Sequence, residues 1–275
     1  MSLLISPAEL AALLAGAARV VVLDVRWRLD RPDGRPEYLT GHIPGAVWVD
    51  LERELSTHGD PAEGRHPLPA RDELQVAARR WGLREGDTVV VYDDANALPA
   101  SRAWWLLTGS GVADVRLLDG GLQAWADAGL PLQTGEVTPE PGSIVLTQLA
   151  HPVLSTDEAA TWPGSGILLD VRAPERYRGE NEPIDPVAGH IPGARNLPIA
   201  TLLESGRFRD AEVLRDAFAA VGAVAGARVA AYCGSGITAA QTALAGVLAG
   251  VEVAVYPGSW SAWSNTPGRP VATGD

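Results

Sequence analysis

The 275-residue chain repeats itself once, and this duplication limits its architecture more than any other feature. Val22-Leu23-Asp24-Val25-Arg26 returns as Leu168-Leu169-Asp170-Val171-Arg172, and Gly41-His42-Ile43-Pro44-Gly45-Ala46 returns unchanged from Gly189 to Ala194. Val91-Tyr92-Asp93 lines up with Ala231-Tyr232-Cys233, and Leu118–Trp125 pairs with Tyr256–Trp263. Four matches in one order mark a tandem duplication, so each half must fold as a copy of one unit. The expected domains are residues 1–135 and 153–275. The join lies in 136–152, where Thr138-Pro139-Glu140-Pro141-Gly142 reads as a linker.

Within each half, short β-branched runs alternate with helical stretches. Val20–Val25, Thr88–Tyr92 and Val115–Leu118 suit buried parallel strands, as do Ile167–Val171, Arg228–Tyr232 and Val251–Tyr256. Helices are expected over Arg71–Trp81, Ala100–Thr108, Ala211–Val221 and Thr238–Leu248. The fold class is therefore α/β: two tandem units, each a mainly parallel sheet covered by helices on both faces. In such sheets, sites form where the carboxyl ends of strands lead into helices.

Composition removes several chemistries. All 22 basic residues are arginine, so no Schiff-base lysine or Walker lysine is available. The single cysteine excludes an intrachain disulfide, a thiolate-rich zinc site and a CxxC redox pair. A formal net charge of −12 argues against nucleic acid or an anionic membrane surface as a main partner. The amino terminus lacks a basic leader and carries Glu9 in its apolar stretch, and no run is long enough to span a bilayer. A cytoplasmic protein is expected.

Cys233 follows the predicted strand ending at Tyr232 and opens the loop Cys233-Gly234-Ser235-Gly236-Ile237-Thr238. Two glycines let the loop turn its N–H groups inward, and the start of the next helix adds its own free N–H groups and positive dipole end. Thiolate, the reactive form of cysteine, is favoured in such a cradle. A lone cysteine is more often a small buried hydrophobe. The strand–Cys–Gly-x-Gly–helix context reverses that reading and makes Cys233 a nucleophile.

The duplication, the Asp-Val-Arg and Gly-His-Ile-Pro-Gly-Ala blocks, the Cys-Gly-Ser-Gly-Ile-Thr loop and the Gly258-Ser259-Trp260-x-x-Trp263 segment together resemble the two-domain rhodanese family of sulfurtransferases. The resemblance implies two rhodanese-like domains, of which only the second is catalytic. Asp93 stands at the first-half position matching Cys233, and an aspartate cannot carry a sulfane sulfur. The implied chemistry is a double displacement through a Cys233 persulfide, needing no metal or organic cofactor. Its implied partners are a small anionic sulfur donor and an acceptor: cyanide, a small thiol or a reduced, thioredoxin-like protein dithiol.

Thiosulfate-specific relatives resemble Cys-Arg-Lys-Gly in the loop, and mercaptopyruvate-specific relatives resemble Cys-Gly-Ser-Gly, so the loop favours 3-mercaptopyruvate. In those relatives a serine, a histidine and an aspartate relay a proton; Ser235 and His66 match the first two, and Glu52 falls near the third. Arg176 matches an arginine that binds the donor's anionic end, with Gly234, Gly236, Ile237 and Thr238 completing the binding loop. A second donor arginine, in Glu-Pro-Arg, is replaced by Glu182-Pro183-Ile184, which leaves thiosulfate open as donor and Arg178 as a substitute. Asp170 with Arg172, His42, His190, Trp260 and Trp263 are expected to be structural. Cysteine phosphatases need an arginine six residues after the nucleophile, and position 239 is alanine. A non-enzymatic persulfide carrier or regulatory module is the remaining alternative.

Overall fold

The computed structural model describes residues 2–275. It divides into two compact units: the chain up to Ser56 with Pro69–Ala150 and Ser205–Arg207, and Thr57–Leu68 with His151–Glu204 and Phe208–Asp275. The segment Thr57–Leu68 belongs to the first half of the sequence yet packs within the second unit.

In the first unit the strands Leu4–Ile5, Asp114–Leu118, Thr88–Tyr92, Val20–Asp24 and Val47–Trp48 lie side by side in that order, all parallel. In the second the order is Val253–Val255, Val229–Tyr232, Ile167–Asp170 and Arg195–Asn196, again all parallel. The central strands are buried nearly throughout, which is why they read as unbroken apolar runs rather than alternating ones. The expected long helices are present as Arg71–Arg80, Leu98–Gly109, Ala211–Ala220 and Ile237–Ala249. Each unit also opens with a capping box: Ser6 with Glu9 before the helix Pro7–Ala15, and Ser155 with Glu158 before Thr156–Thr161. In each pair the glutamate accepts the serine N–H at 2.8 Å, closing two helix-end donors that would otherwise lack partners.

The duplication persists bond for bond. Register pairs Asp24 with Tyr92 and Asp170 with Tyr232, and each tyrosine hydroxyl accepts the N–H of the isoleucine in Gly-His-Ile-Pro, Ile43 at 3.2 Å and Ile191 at 3.0 Å. Burial, reinforced by the aspartate, holds both tyrosine hydroxyls well above their usual range, so both stay protonated. His42 and His190 each place Nδ1 2.8 Å from a tyrosine carbonyl, Tyr38 and Tyr177, and stack on that same ring. Arg26 and Arg172 clamp Asp24 and Asp170 at 2.7 and 2.6 Å while donating to the Gly41 and Gly189 carbonyls. Trp260 and Trp263 are at most 1% exposed, and Arg172 lies 4.6 Å from the Trp260 ring centroid. These residues build the strand ends on which the loops rest.

Candidate active site

The strand Val229–Tyr232 stops at Cys233 and the helix Ile237–Ala249 begins four residues later. Gly236 makes the turn possible: its φ is +84°, and a Cβ there would stand 2.4 Å from the Pro257 carbonyl oxygen. Its N–H donates to Cys233 Sγ at 3.1 Å. The cysteine residue is 2% exposed, so its sulfur is buried within the loop. Ile237 opens the helix as a buried residue, and Thr238 follows it within the first turn.

A second segment fixes the loop from behind. Ser259 Oγ accepts the Cys233 N–H at 3.1 Å, donates to the Tyr256 carbonyl at 2.9 Å and stands 3.9 Å from Sγ. The Trp260 N–H donates to the Cys233 carbonyl and the Ser261 N–H to that of Gly234, each at 2.9 Å. Ser259 is held at φ +53°, a left-handed conformation that non-glycine residues rarely adopt. Such strain persists where surrounding bonds over-determine the backbone, as these three do. Ser259 was visible in the sequence only as part of the repeat; nothing in its spacing marked it as the partner of the cysteine N–H.

Charged groups gather over the same loop. Arg172 donates to both Asp170 and Glu182, and Glu182 in turn accepts two bonds from Arg176, at 2.7 and 3.2 Å. Asp185 accepts from Arg176 at 3.2 Å and from Arg65 through its other oxygen. Burial raises the Glu182 carboxyl, but bonds from Arg176 and from the Asp185 and Ile184 N–H groups outweigh it and leave its pKa lowered. Burial likewise opposes charge on Arg172, and Asp170 more than offsets it. The result is an alternating chain of acids and arginines leading from the strand end to Gly234. A Cβ on Gly234 would meet Arg65 Nη2 at 3.2 Å and Arg176 Nη1 at 3.5 Å.

The other predicted residues are placed as follows. Ser235 is half-buried in the loop, and its hydroxyl forms no hydrogen bond among the described residues. His66 is 4% exposed and belongs to the second unit. Glu52 belongs to the first, where it accepts the Trp27 indole N–H at 2.6 Å. Arg178, the expected substitute for the arginine missing at Ile184, gives Nε and Nη2 to exposed Glu180, each at 2.8 Å. The arginine beside Arg176 is Arg65, which sequence reading passed over although it adjoins His66.

In the first unit the strand end at Tyr92 opens on Asp93. Its carboxylate accepts the N–H groups of Ala95, Ala97 and Ala100 at 2.8–3.0 Å, filling with its own charge the place that the sulfur occupies in the other unit. Burial raises its pKa to about 6, against these three bonds, which lower it.

Two parallel α/β units of one topology, one closing its strand-end loop on a cysteine sulfur and the other on a carboxylate, define a tandem rhodanese-like protein. The rhodanese-like domain family matches residues 6–128 and 155–266, and the chain belongs to it. Relatives at 46–47% identity over nearly the full chain bear sulfurtransferase names, and this chain is a sulfurtransferase with two rhodanese-like domains. It is 47% identical over 275 residues to a Mycobacterium tuberculosis protein bearing a thiosulfate sulfurtransferase name, SseB, covering 98% of this chain and 97% of that one. It is 46% identical over 282 residues to a Pseudomonas aeruginosa protein named for 3-mercaptopyruvate sulfurtransferase, covering 99% and 98%. The crystal structure of SseA from Escherichia coli, described as a 3-mercaptopyruvate sulfurtransferase, superposes with a TM-score of 0.84 at 31% identity, over 94% of this chain and 99% of that one. No helix among the described residues is long and apolar enough to cross a membrane.

Proposed function

We propose that the chain moves the sulfur of 3-mercaptopyruvate through a Cys233 persulfide to a thiol or cyanide acceptor. The observation that carries this reading is the uncharged loop Gly234-Ser235-Gly236, closed on a sulfur that accepts the Gly236 N–H. The Cys233 thiolate attacks the donor sulfur, the carbon–sulfur bond breaks, and its electron pair leaves on the pyruvate enolate. That enolate must gain a proton at carbon to become pyruvate, and the donor's own thiol proton balances the step. The loop N–H groups stabilise negative charge on the outer sulfur, as an oxyanion hole does for oxygen. Acceptor thiolate or cyanide then attacks the outer sulfur, the S–S bond breaks and Cys233 returns as thiolate.

Ser235 is the group nearest in sequence to the nucleophile that can deliver the proton, with His66, which belongs to the same unit, as the next member of the relay. A positioned acid of this kind serves an enolate leaving group, whereas sulfite leaves thiosulfate without a proton. Arg176 holds the donor's anionic end through Nη1, its nitrogen nearest Gly234. The cytoplasm, with its reduced thiols, suits both the free Cys233 and a thioredoxin-like acceptor.

Thiosulfate is the second reading, favoured by the two guanidinium groups over Gly234, which would suit a doubly charged donor. Measuring kcat/KM for both donors on one preparation decides between them. A ratio favouring thiosulfate would overturn the mercaptopyruvate reading.

A further inference from the structure

We propose that Arg65, carried by the segment Thr57–Leu68, is the second half of a two-arginine clamp for the donor's anionic group. The inference rests on the sulfurtransferase reading of the Cys233 loop and adds to it the residue that decides donor affinity.

Three observations on one unit lead there. Arg65 Nη1 is bonded to Asp185, while its Nη2 is the nearest side-chain atom to the outward face of Gly234, the residue after the nucleophile. Its Nε–H is buried and has no hydrogen-bond partner. Arg176 is arranged in the same way: Nε and Nη2 are bonded to Glu182 and Asp185, and Nη1 is left facing Gly234. Two guanidinium groups therefore converge on one spot, each fixed by a carboxylate at one end and with N–H groups unused at the other.

Two cations that both face Gly234 repel each other unless an anion lies between them. Asp185, with its side chain 1% exposed, separates them at the back by accepting from each through a different oxygen. Among the described residues, neither Arg65 Nη2 nor Arg176 Nη1 is bonded to a carboxylate. A carboxylate or sulfonate there would accept one bond from each arginine, a pairing whose geometry guanidinium favours.

The backbone of Arg65 is anchored to the catalytic loop's own support. Its N–H donates to Ser261 Oγ at 3.1 Å, and the Ser261 N–H holds the Gly234 carbonyl at 2.9 Å. Gly64, at φ +96°, allows this approach, since a Cβ there would stand 2.6 Å from the Gly258 carbonyl oxygen. The clamp and the nucleophile thus share one short helix, Ser259–Asn265, as their frame. A salt bridge that served only to tie Thr57–Leu68 to Asp185 would not also turn Nη2 toward Gly234.

The test compares the unaltered protein with Arg65→Gln and Arg65→Lys in steady-state turnover of 3-mercaptopyruvate, and in calorimetric binding of pyruvate, the unreactive carboxylate product. Arg65→Gln should raise KM and the pyruvate Kd by roughly 10- to 100-fold, the worth of a charge-assisted bond, with kcat within about threefold. Arg65→Lys keeps the charge and the Asp185 contact but not the fork, and should lose roughly 3- to 10-fold. If Arg65→Gln folds poorly, the Lys variant carries the comparison. Unchanged KM and Kd in the variants of an active enzyme overturn the clamp and leave the sulfurtransferase reading standing. If the unaltered protein turns over neither donor, that reading falls, and the clamp is judged on pyruvate binding alone, where equal Kd values refute it.

Discussion

Asp93→Asn gives a direct measure of what it means to fill a sulfur cradle with a carboxylate. Asp93 is fully buried, and its pKa stands at about 6 against the usual 3.8, burial being the main cause. The proton is therefore held more tightly in the folded state than in the unfolded one. Stability from this group is complete below pH 3.8 and is lost as pH rises through 6. A gap of about two units at 1.36 kcal/mol each makes the loss about 3 kcal/mol across the window. Between pH 5 and pH 7.5, the accessible part near neutrality, the loss is about 1.4 kcal/mol. Asn does not titrate there. Its amide keeps an acceptor for Ala95 and Ala97 but turns a donor toward the Ala100 N–H, a penalty of about 1–3 kcal/mol that is the same at every pH. Urea or thermal unfolding of both proteins at a series of pH values isolates the effect. The unaltered protein should lose about 1.4 kcal/mol relative to the variant between pH 5 and 7.5, or roughly 3–6 °C in midpoint for a unit of this size. Parallel stability curves, within about 0.3 kcal/mol, would refute the argument. Sulfur transfer should persist in the variant, because Asp93 and Cys233 lie in different units.

Cys233→Ser should abolish transfer from both donors, and the unaltered protein incubated with donor alone should gain about 32 Da, one sulfur atom, in its intact mass. Turnover by the serine variant, or no adduct on an active enzyme, contradicts the persulfide. Ser235→Ala should slow 3-mercaptopyruvate turnover by roughly 10²–10⁴-fold and thiosulfate turnover far less; equal losses would mean that the hydroxyl only shapes the loop. Gly236→Ala must strain a left-handed residue and push a methyl group to 2.4 Å from Pro257 O, so the N–H leaves the sulfur. Its kcat should fall by roughly 10²–10³-fold, the usual loss on removing a transition-state donor, and a kcat within twofold of the original would show that this bond carries no charge.

The duplication, the parallel sheets and the loop that opens on Cys233 are legible in the sequence alone. Those features are local: an apolar run such as Thr88–Tyr92 makes a buried strand wherever it lies, and Cys233-Gly-x-Gly before a helix makes a cradle from its own backbone. Asp170 with Arg172 could be paired for the same reason, being two residues apart on one strand end. Only the tertiary structure decided which distant groups meet at that loop. Arg65 and Asp185 lie 120 residues apart, so no periodicity couples them. Ser259 reaches the Cys233 N–H because the segment after the strand Val253–Val255 folds back under the loop. Arg176 and Arg178 are two residues apart, and helix and turn send one guanidinium toward Gly234 and the other to exposed Glu180. The physical reason is range. Backbone cradles and strand cores are set by neighbours in the chain, whereas the charge over the Cys233 loop is set by loops whose positions follow from packing of the whole unit.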